Sequence, residues 1–300
     1  MSAGTAGPAT GRDRTDADRT DADRTADGVP RIAAPYDPAE VDDAVLRRGA
    51  AVLQGVYGAA ECDAFLGQLD AHLAEHPEEA EYAASSILGY YQGATTSSLF
   101  SLVGHIPRAA EMVVQPDVLG CARRALAPLS ETVLVSNVEY LGRNPGAECQ
   151  ELHRDTLSWP HAPGGEHPIA ITALSAMTDS TAENGATWVV LDSHGGPPVE
   201  PAPGREGAVQ VEMRRGDVLV LRADVFHGGG ANTSDHVRRV FSVGYQVAWL
   251  RPVESFALSI PPAVAAGLAP DLRELLGYSH EMVLGLYKGG PPQNALPAPD

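Results

Sequence analysis

The chain has two textures. Between residues 59 and 76, Cys62, Phe65, Leu66, Leu69 and Leu73 recur at three- and four-residue intervals, with Glu61, Asp63, Gln68 and Asp70 on other faces. That is the period of an amphipathic helix. Residues 107–127 carry a second such pattern, interrupted at Pro116. The stretch from 31 to 130 is therefore expected to be mostly helical and to buttress a sheet. From 131 the pattern changes to short, valine-rich runs at Thr132–Tyr140, Ile169–Thr178, Ala186–Leu191, Val209–Met213, Asp217–Leu221 and Arg239–Trp249. Glycine, proline and asparagine punctuate the gaps. Several short strands at this spacing predict a β-sandwich or a jelly-roll barrel. Trp188 and Trp249 fall in these runs and are expected in the core. The remainder, 251–300, reads as a helical and irregular C-terminal segment of the same domain, which spans 31–300.

Residues 1–30 read differently. The near-repeat DRTDADRTDADRTADG lacks large apolar side chains, so it cannot bury enough surface to fold and is expected to be a disordered tail. Residues 1–30 hold six Asp and four Arg, a small part of the formal charge of −18. The acidity therefore belongs to the folded part, which argues against nucleic acid or an anionic membrane surface as partner. The three cysteines, Cys62, Cys121 and Cys149, match no zinc spacing, which suits a reducing cytoplasm. No basic-then-apolar leader and no apolar run near the ~18 residues needed to span a bilayer is present. Cytoplasmic localisation is the expectation. Asn232-Thr-Ser is a formal sequon, read here as turn chemistry.

The chemistry concentrates in His153-Arg154-Asp155, followed downstream by His227 and Arg238. Two imidazoles and one carboxylate hold a non-haem Fe(II) on one face and leave the opposite positions open. In extended chain, His153 and Asp155 point to the same side and Arg154 points away. Gly228, Gly229 and Gly230 follow His227 directly and allow close approach of a ligand to the backbone. If the chain then turns through Ala231–Asp235 and returns as a hairpin, Arg238 lies on a strand beside His227. There its guanidinium can grip a carboxylate through two parallel hydrogen bonds. Arg239 faces the other way. Two other classes remain open: a zinc hydrolase on the same donor set, and a catalytically silent scaffold.

The segments LHRDTLSWP, ENGATWVVLDSH and GDVLVLRADVFHGGGANTSDHVRR resemble the phytanoyl-CoA dioxygenase (PhyH) family of Fe(II)/2-oxoglutarate oxygenases. The resemblance is firm over about 132–250 and looser over 40–130. It implies a mainly β fold with flanking helices around a double-stranded β-helix, the cupin-like jelly roll. It also implies that His153, Asp155 and His227 bind iron and that Arg238 binds the distal carboxylate of 2-oxoglutarate. Many members place a hydroxyl two residues after the second histidine; here that residue is Gly229, so Thr187 or Ser242 is expected to substitute. Gln150 stands where some relatives have an amide near the co-substrate. With O₂, the reaction implied is decarboxylation of 2-oxoglutarate to succinate and CO₂, coupled to oxidation of a substrate C–H bond. Related halogenases have a small residue where this chain has Asp155, which favours hydroxylation; desaturation, epoxidation or rearrangement are alternatives.

Tyr91 and Trp159 are the expected walls of a substrate pocket, and the loop 155–168, rich in Pro and Gly, a flap over it. An acidic chain offers little for the phosphates of a coenzyme A thioester. A free, fairly apolar metabolite is the expected substrate, as in the tailoring of natural products.

Overall fold

A computed structural model describes residues 28–79, 95–200 and 202–298. Among them, ten strands form two sheets. They are β1 (Arg31–Ala33), β2 (Ala50–Gln54), β3 (Thr96–Leu99), β4 (Val133–Arg143), β5 (Ala170–Ala176), β6 (Thr187–Val189), β7 (Val209–Val211), β8 (Val218–Arg222), β9 (His227–Gly229) and β10 (Arg238–Val247). The larger sheet has seven strands in the order β1-β2-β8-β5-β10-β4-β3, and the smaller has β7-β6-β9. All pairings are antiparallel except β1 with β2. This is the expected cupin-like jelly roll with flanking helices.

The larger sheet is buried on both faces, which explains why β8 reads as an unbroken apolar run. Along β8, Val218 and Val220 enter a core shared with the helices, whereas Leu219 and Leu221 enter a second core toward the smaller sheet. Strand β2 divides in the same way: Ala51 and Leu53 face the helices, Ala50 and Val52 the other side. On β10, Phe241, Val243, Tyr245 and Val247 lie on the helical face. The alternate residues are free to line a cavity between the sheets, as a two-residue side-chain period requires.

The helical layer follows the sequence pattern closely. Helix α1 is Pro38–Arg48 and α2 is Ala59–Glu75. Helix α2 buries Cys62, Phe65 and Leu69, and Phe65 packs edge-on against Phe241 with ring centroids 5.1 Å apart. After the short α3 (Leu102–His105), the second helical pattern resolves into α4 (Pro107–Val113) and α5 (Pro116–Leu126). Pro116 starts α5, where its missing N–H leaves no internal bond unmade. The Gln115 side chain caps that helix by accepting from Val118 N at 2.8 Å.

Four expectations need correction. The stretch 31–130 is not simply helical: it contributes β1, β2 and β3, all toward the edges of the larger sheet. A run as short as AAVLQ carries too few residues for its period to separate strand from helix. Residues 28–30 do not belong with the tail, since Val29 is fully buried and Pro30 O accepts from Val52 N at 2.9 Å. Residues 1–27 lie outside the described residues. Trp249 sits beyond the end of β10, 42% exposed, with its indole donating to Leu129 O at 3.2 Å. Trp188 is only half-buried, on the exposed side of β6. No helix among the described residues is long and apolar enough to cross a membrane.

Truncating Phe241 to Ala removes a fully buried ring from the junction of sheet and helices. It is expected to cost about 3–5 kcal/mol of stability, read from the shift in a urea unfolding midpoint; a change below about 1 kcal/mol would show that this packing is not central to the fold.

Candidate active site

The segment before residue 155 runs antiparallel to β9 without forming a regular strand. Gln150 N donates to Gly229 O at 2.9 Å, His153 N to His227 O at 2.8 Å, and His227 N to His153 O at 2.9 Å. His153 and His227 are thus directly paired across the ladder, with both side chains on one side. Their ring centroids are 4.6 Å apart. The chain then enters a 3₁₀ turn, Asp155–Ser158, which brings Asp155 back to the two rings. Its Oδ1 lies 3.9 Å from His153 Nε2 and 3.6 Å from His227 Nε2. One ligand atom from each residue falls within 4.8 Å of the others, the sole group of its kind among the described residues.

The surroundings prepare these groups for a metal. His153 Nδ1 lies 3.1 Å from Glu151 O, and His227 Nδ1 3.1 Å from Val225 O. Each ring donates Nδ1–H to the backbone and leaves the Nε2 lone pair toward the centre. Burial, and next the neighbouring His227, push the His153 pKa down, favouring the neutral, ligating form. Asp155 Oδ2 accepts from Thr172 Oγ1 at 2.6 Å, which fixes the carboxylate from β5 in the larger sheet. The donors fit a divalent ion held on one face.

The same cavity, of about 330 Å³, is lined by Arg143, Gln150, Thr187, Arg238 and Ser242 together with His153, Asp155 and His227. Arg238 is buried, donating through Nη1 to Gly185 O and, at 3.4 Å, to Thr187 Oγ1. Gly185 has φ +88°, and a Cβ there would meet Gly230 O at 2.6 Å, so a side chain would displace the carbonyl that anchors the arginine. Burial, and then Arg143, push the Arg238 pKa down to about 9. Among the described residues no carboxylate forms an ion pair with Arg238.

Arg238 does not reach this place by the expected hairpin. Strand β9 is in the smaller sheet, while β10 lies between β5 and β4 in the larger one. The connection crosses from sheet to sheet, pinned by buried Asn232, whose Nδ2 donates to Arg143 O and His236 O at 2.7 Å each. Asn232 is therefore turn chemistry, as its local sequence suggests. Thr187 is beside Arg238, but Ser242 is four residues along β10, roughly 13 Å at strand rise, and faces a different part of the cavity. Gln150 Oε1 accepts from Gly229 N at 2.6 Å.

Sequence reasoning passed over Arg143. Its guanidinium accounts for the missing hydroxyl at Gly229: a Cβ at 229 would come within 3.0 Å of Arg143 Nη1 and 2.8 Å of Gln150 Oε1. Glu139 and Asn137, also lining the cavity, were missed too. The signal was present in β4, where Asn137, Glu139 and Arg143 occupy alternate positions of an otherwise largely apolar strand.

Other expected residues sort cleanly. Arg154 points away from the site, stacks 4.1 Å from the Phe226 ring centroid and pairs with Glu200 at 2.7 Å. Arg239 pairs with Asp70 on the opposite face. Trp159 lines the cavity and donates to Arg251 O at 2.9 Å, so it serves both wall and packing. The far end of the 155–168 loop is tied down, with Gly165 O and Glu166 O accepting from Arg222 at 3.2 and 2.8 Å. Cys149 is not among the lining residues. Tyr91 lies outside the described residues.

Residues 45–240 match the family model described as phytanoyl-CoA dioxygenase (PhyH). The chain belongs to this family of non-haem iron, 2-oxoglutarate-dependent oxygenases. Its relatives include the dioxygenase olcK of Penicillium canescens, 24% identical over 255 residues and covering 82% of each chain. Several other curated relatives are matched over about half of their length, for example 55% and 56%. Among solved structures, the epimerase SnoN in complex with Fe³⁺, α-ketoglutarate and nogalamycin RO is similar with a TM-score of 0.53, 22% identity, and coverage of 72% of this chain and 88% of that one. The carbocyclase SnoK from nogalamycin biosynthesis gives 0.56, 21%, 72% and 87%. These likenesses agree with the PhyH jelly-roll fold. The zinc-hydrolase reading finds no support in them.

Replacing Thr172 by Val removes the hydroxyl that orients Asp155 while keeping strand shape. Metal affinity is expected to fall roughly 10–100-fold, measured by anaerobic titration with Fe(II) or Co(II), with an unchanged far-ultraviolet spectrum. Undiminished affinity would mean that Asp155 needs no support from β5.

Proposed function

We propose that this protein uses Fe(II), 2-oxoglutarate and O₂ to hydroxylate a C–H bond of a small secondary metabolite, with release of succinate and CO₂. The observation that carries the reading is the joining, in one cavity, of the His153–Asp155–His227 donor set with two buried arginines, Arg143 and Arg238. Among the described residues Arg238 has no ion-pair partner; a buried guanidinium in that state is costly, and a carboxylate that accepts two hydrogen bonds from it offsets that cost. A dicarboxylate co-substrate supplies such a group at one end and a metal-chelating end at the other.

In this reading His153, His227 and Asp155 hold the iron, which, when bound, supplies O₂ activation and oxidising power. The residues of the chain do the rest. Arg238, steadied by Gly185 O and Thr187, grips the distal carboxylate with Arg143 beside it. Gln150 holds the β9 backbone and borders the co-substrate. Trp159 and Leu157 wall the substrate side and restrict water. The carboxylate of Asp155 occupies the position that a halide would need, which supports hydroxylation over halogen transfer. The structurally similar SnoN and SnoK are named an epimerase and a carbocyclase, and analysis of the product distinguishes hydroxylation from such outcomes.

His153→Ala and His227→Ala are expected to abolish succinate formation from 2-oxoglutarate. Arg238→Ala is expected to raise the 2-oxoglutarate concentration needed for half-maximal rate by roughly 10–100-fold, the loss of a charge-assisted contact of about 1.5–3 kcal/mol. A normal 2-oxoglutarate requirement in Arg238→Ala would contradict the assignment.

A further inference from the structure

Helix α2 ends in two histidines at helical spacing. His72 lies in its last turn and His76, four residues on, is its C-cap, so both project from one side of the helix. The short helix α3 ends at His105, which the fold brings to the same place. The His72 ring centroid is 4.7 Å from that of His76 and 4.9 Å from that of His105. Those separations are close to the 4.6 Å between His153 and His227. A carboxylate completes the group: Glu79 Oε2 lies 2.8 Å from His72 Nε2. None of the four residues lines the cavity described above, and the proposed oxidation uses none of them.

The cluster is rich in lone pairs rather than charge. Imidazole, with an ordinary pKa of about 6.5, is mostly neutral at pH 7.5, and three rings side by side disfavour one another's charging. His76 is oriented by a further carboxylate: its Nδ1 lies 3.5 Å from Glu78 Oε1, which leaves Nε2 as the ligating nitrogen. The His72 side chain is only 10% exposed and shelters the inner part of the group, while His76, at 45%, leaves a path of entry. Two fields favour a cation at this place. The last carbonyls of α2 put partial negative charge at its C-terminus, and the chain as a whole carries −18.

Three imidazoles and one carboxylate make a four-donor set suited to a tetrahedral ion of borderline softness, Zn(II) foremost. Ligand atoms about 2.0–2.1 Å from such an ion stand about 3.3 Å from one another. An ion entering between His72 and Glu79 therefore opens their 2.8 Å contact by about half an ångström and takes the place of the proton they share. The donor atoms are spread more widely than those of the His153 group; rotation of the His76 and His105 side chains brings the other two in.

We propose that His72, His76, His105 and Glu79 form a second metal site, a Zn(II) clip that fastens the C-terminal end of α2 to α3. Helix α3 begins two residues after Phe100, which lines the cavity, so the clip also steadies that wall. The proposal does not depend on which co-substrate the cavity takes.

Calorimetric titration of the metal-free full chain with Zn(II) at pH 7.5, beside thermal unfolding, tests it. The double variant His153→Ala, His227→Ala disables the cavity site. It is expected still to bind one equivalent, with a rise in its unfolding midpoint. Adding His72→Ala or His105→Ala is expected to weaken that binding tenfold or more and to remove the thermal shift. Made in the wild-type background, where the cavity site is intact, either substitution is expected to take the stoichiometry from two to one; this comparison decides the matter if the double variant does not fold. His105 is exposed, so its replacement is expected to leave the far-ultraviolet spectrum unchanged. A single equivalent in the wild type, no binding by folded double variant, or binding that survives His72→Ala or His105→Ala undiminished overturns the site.

Discussion

Two backbone hydrogen bonds exchanged between His153 and His227 hold the centre of this protein together. They join a loop segment to the edge of the smaller sheet and set two imidazoles side by side, far apart in sequence but paired in space. Everything chemical depends on that pairing. The 3₁₀ turn that follows His153 returns Asp155 to the rings, and Thr172 from the opposite sheet holds the carboxylate. The three residues thus sit on the side of the smaller sheet, and Thr172 ties their carboxylate to the larger one.

A second constraint is that the larger sheet is covered on both faces. Helices α1, α2, α4 and α5 bury one face, so the residues of alternate parity on β4, β5 and β10 can turn inward without having to complete the core. This is how the fold accommodates Arg143, Arg238, Glu139 and Thr172 in its interior. The concentration of polar and charged side chains on one face of three neighbouring strands marks that face as the working surface. The fold thus places two buried arginines and the His153–Asp155–His227 group, a candidate for a metal, along one cavity.

The three residues of the candidate metal site were legible because their chemistry is local: His153 and Asp155 are two residues apart, and His227 lies beside a glycine run. The strands from 131 onward, except the three-residue β9, and the helix at 59–75 were legible from their composition and periods. The route of Arg238 was not, because a turn between two strands looks the same in sequence whether the strands pair or pass to opposite sheets. Arg143 escaped for a related reason. Its role depends on the register of β4 against β10 and on the space left by Gly229, neither of which is visible until the sheet is assembled. Strands β1, β2 and β3 were hidden by their brevity. Trp249 was misplaced because the β10 run was read two residues past its end.

The central claim is that His153, Asp155 and His227 hold one metal to which 2-oxoglutarate is delivered by the arginines. Its most direct test is anaerobic visible spectroscopy of the metal-free protein during addition of Fe(II) and then 2-oxoglutarate. The account predicts a metal-to-ligand charge-transfer band that requires both additions and is absent in His153→Ala. Folded wild-type protein that binds iron yet shows no such band would contradict it.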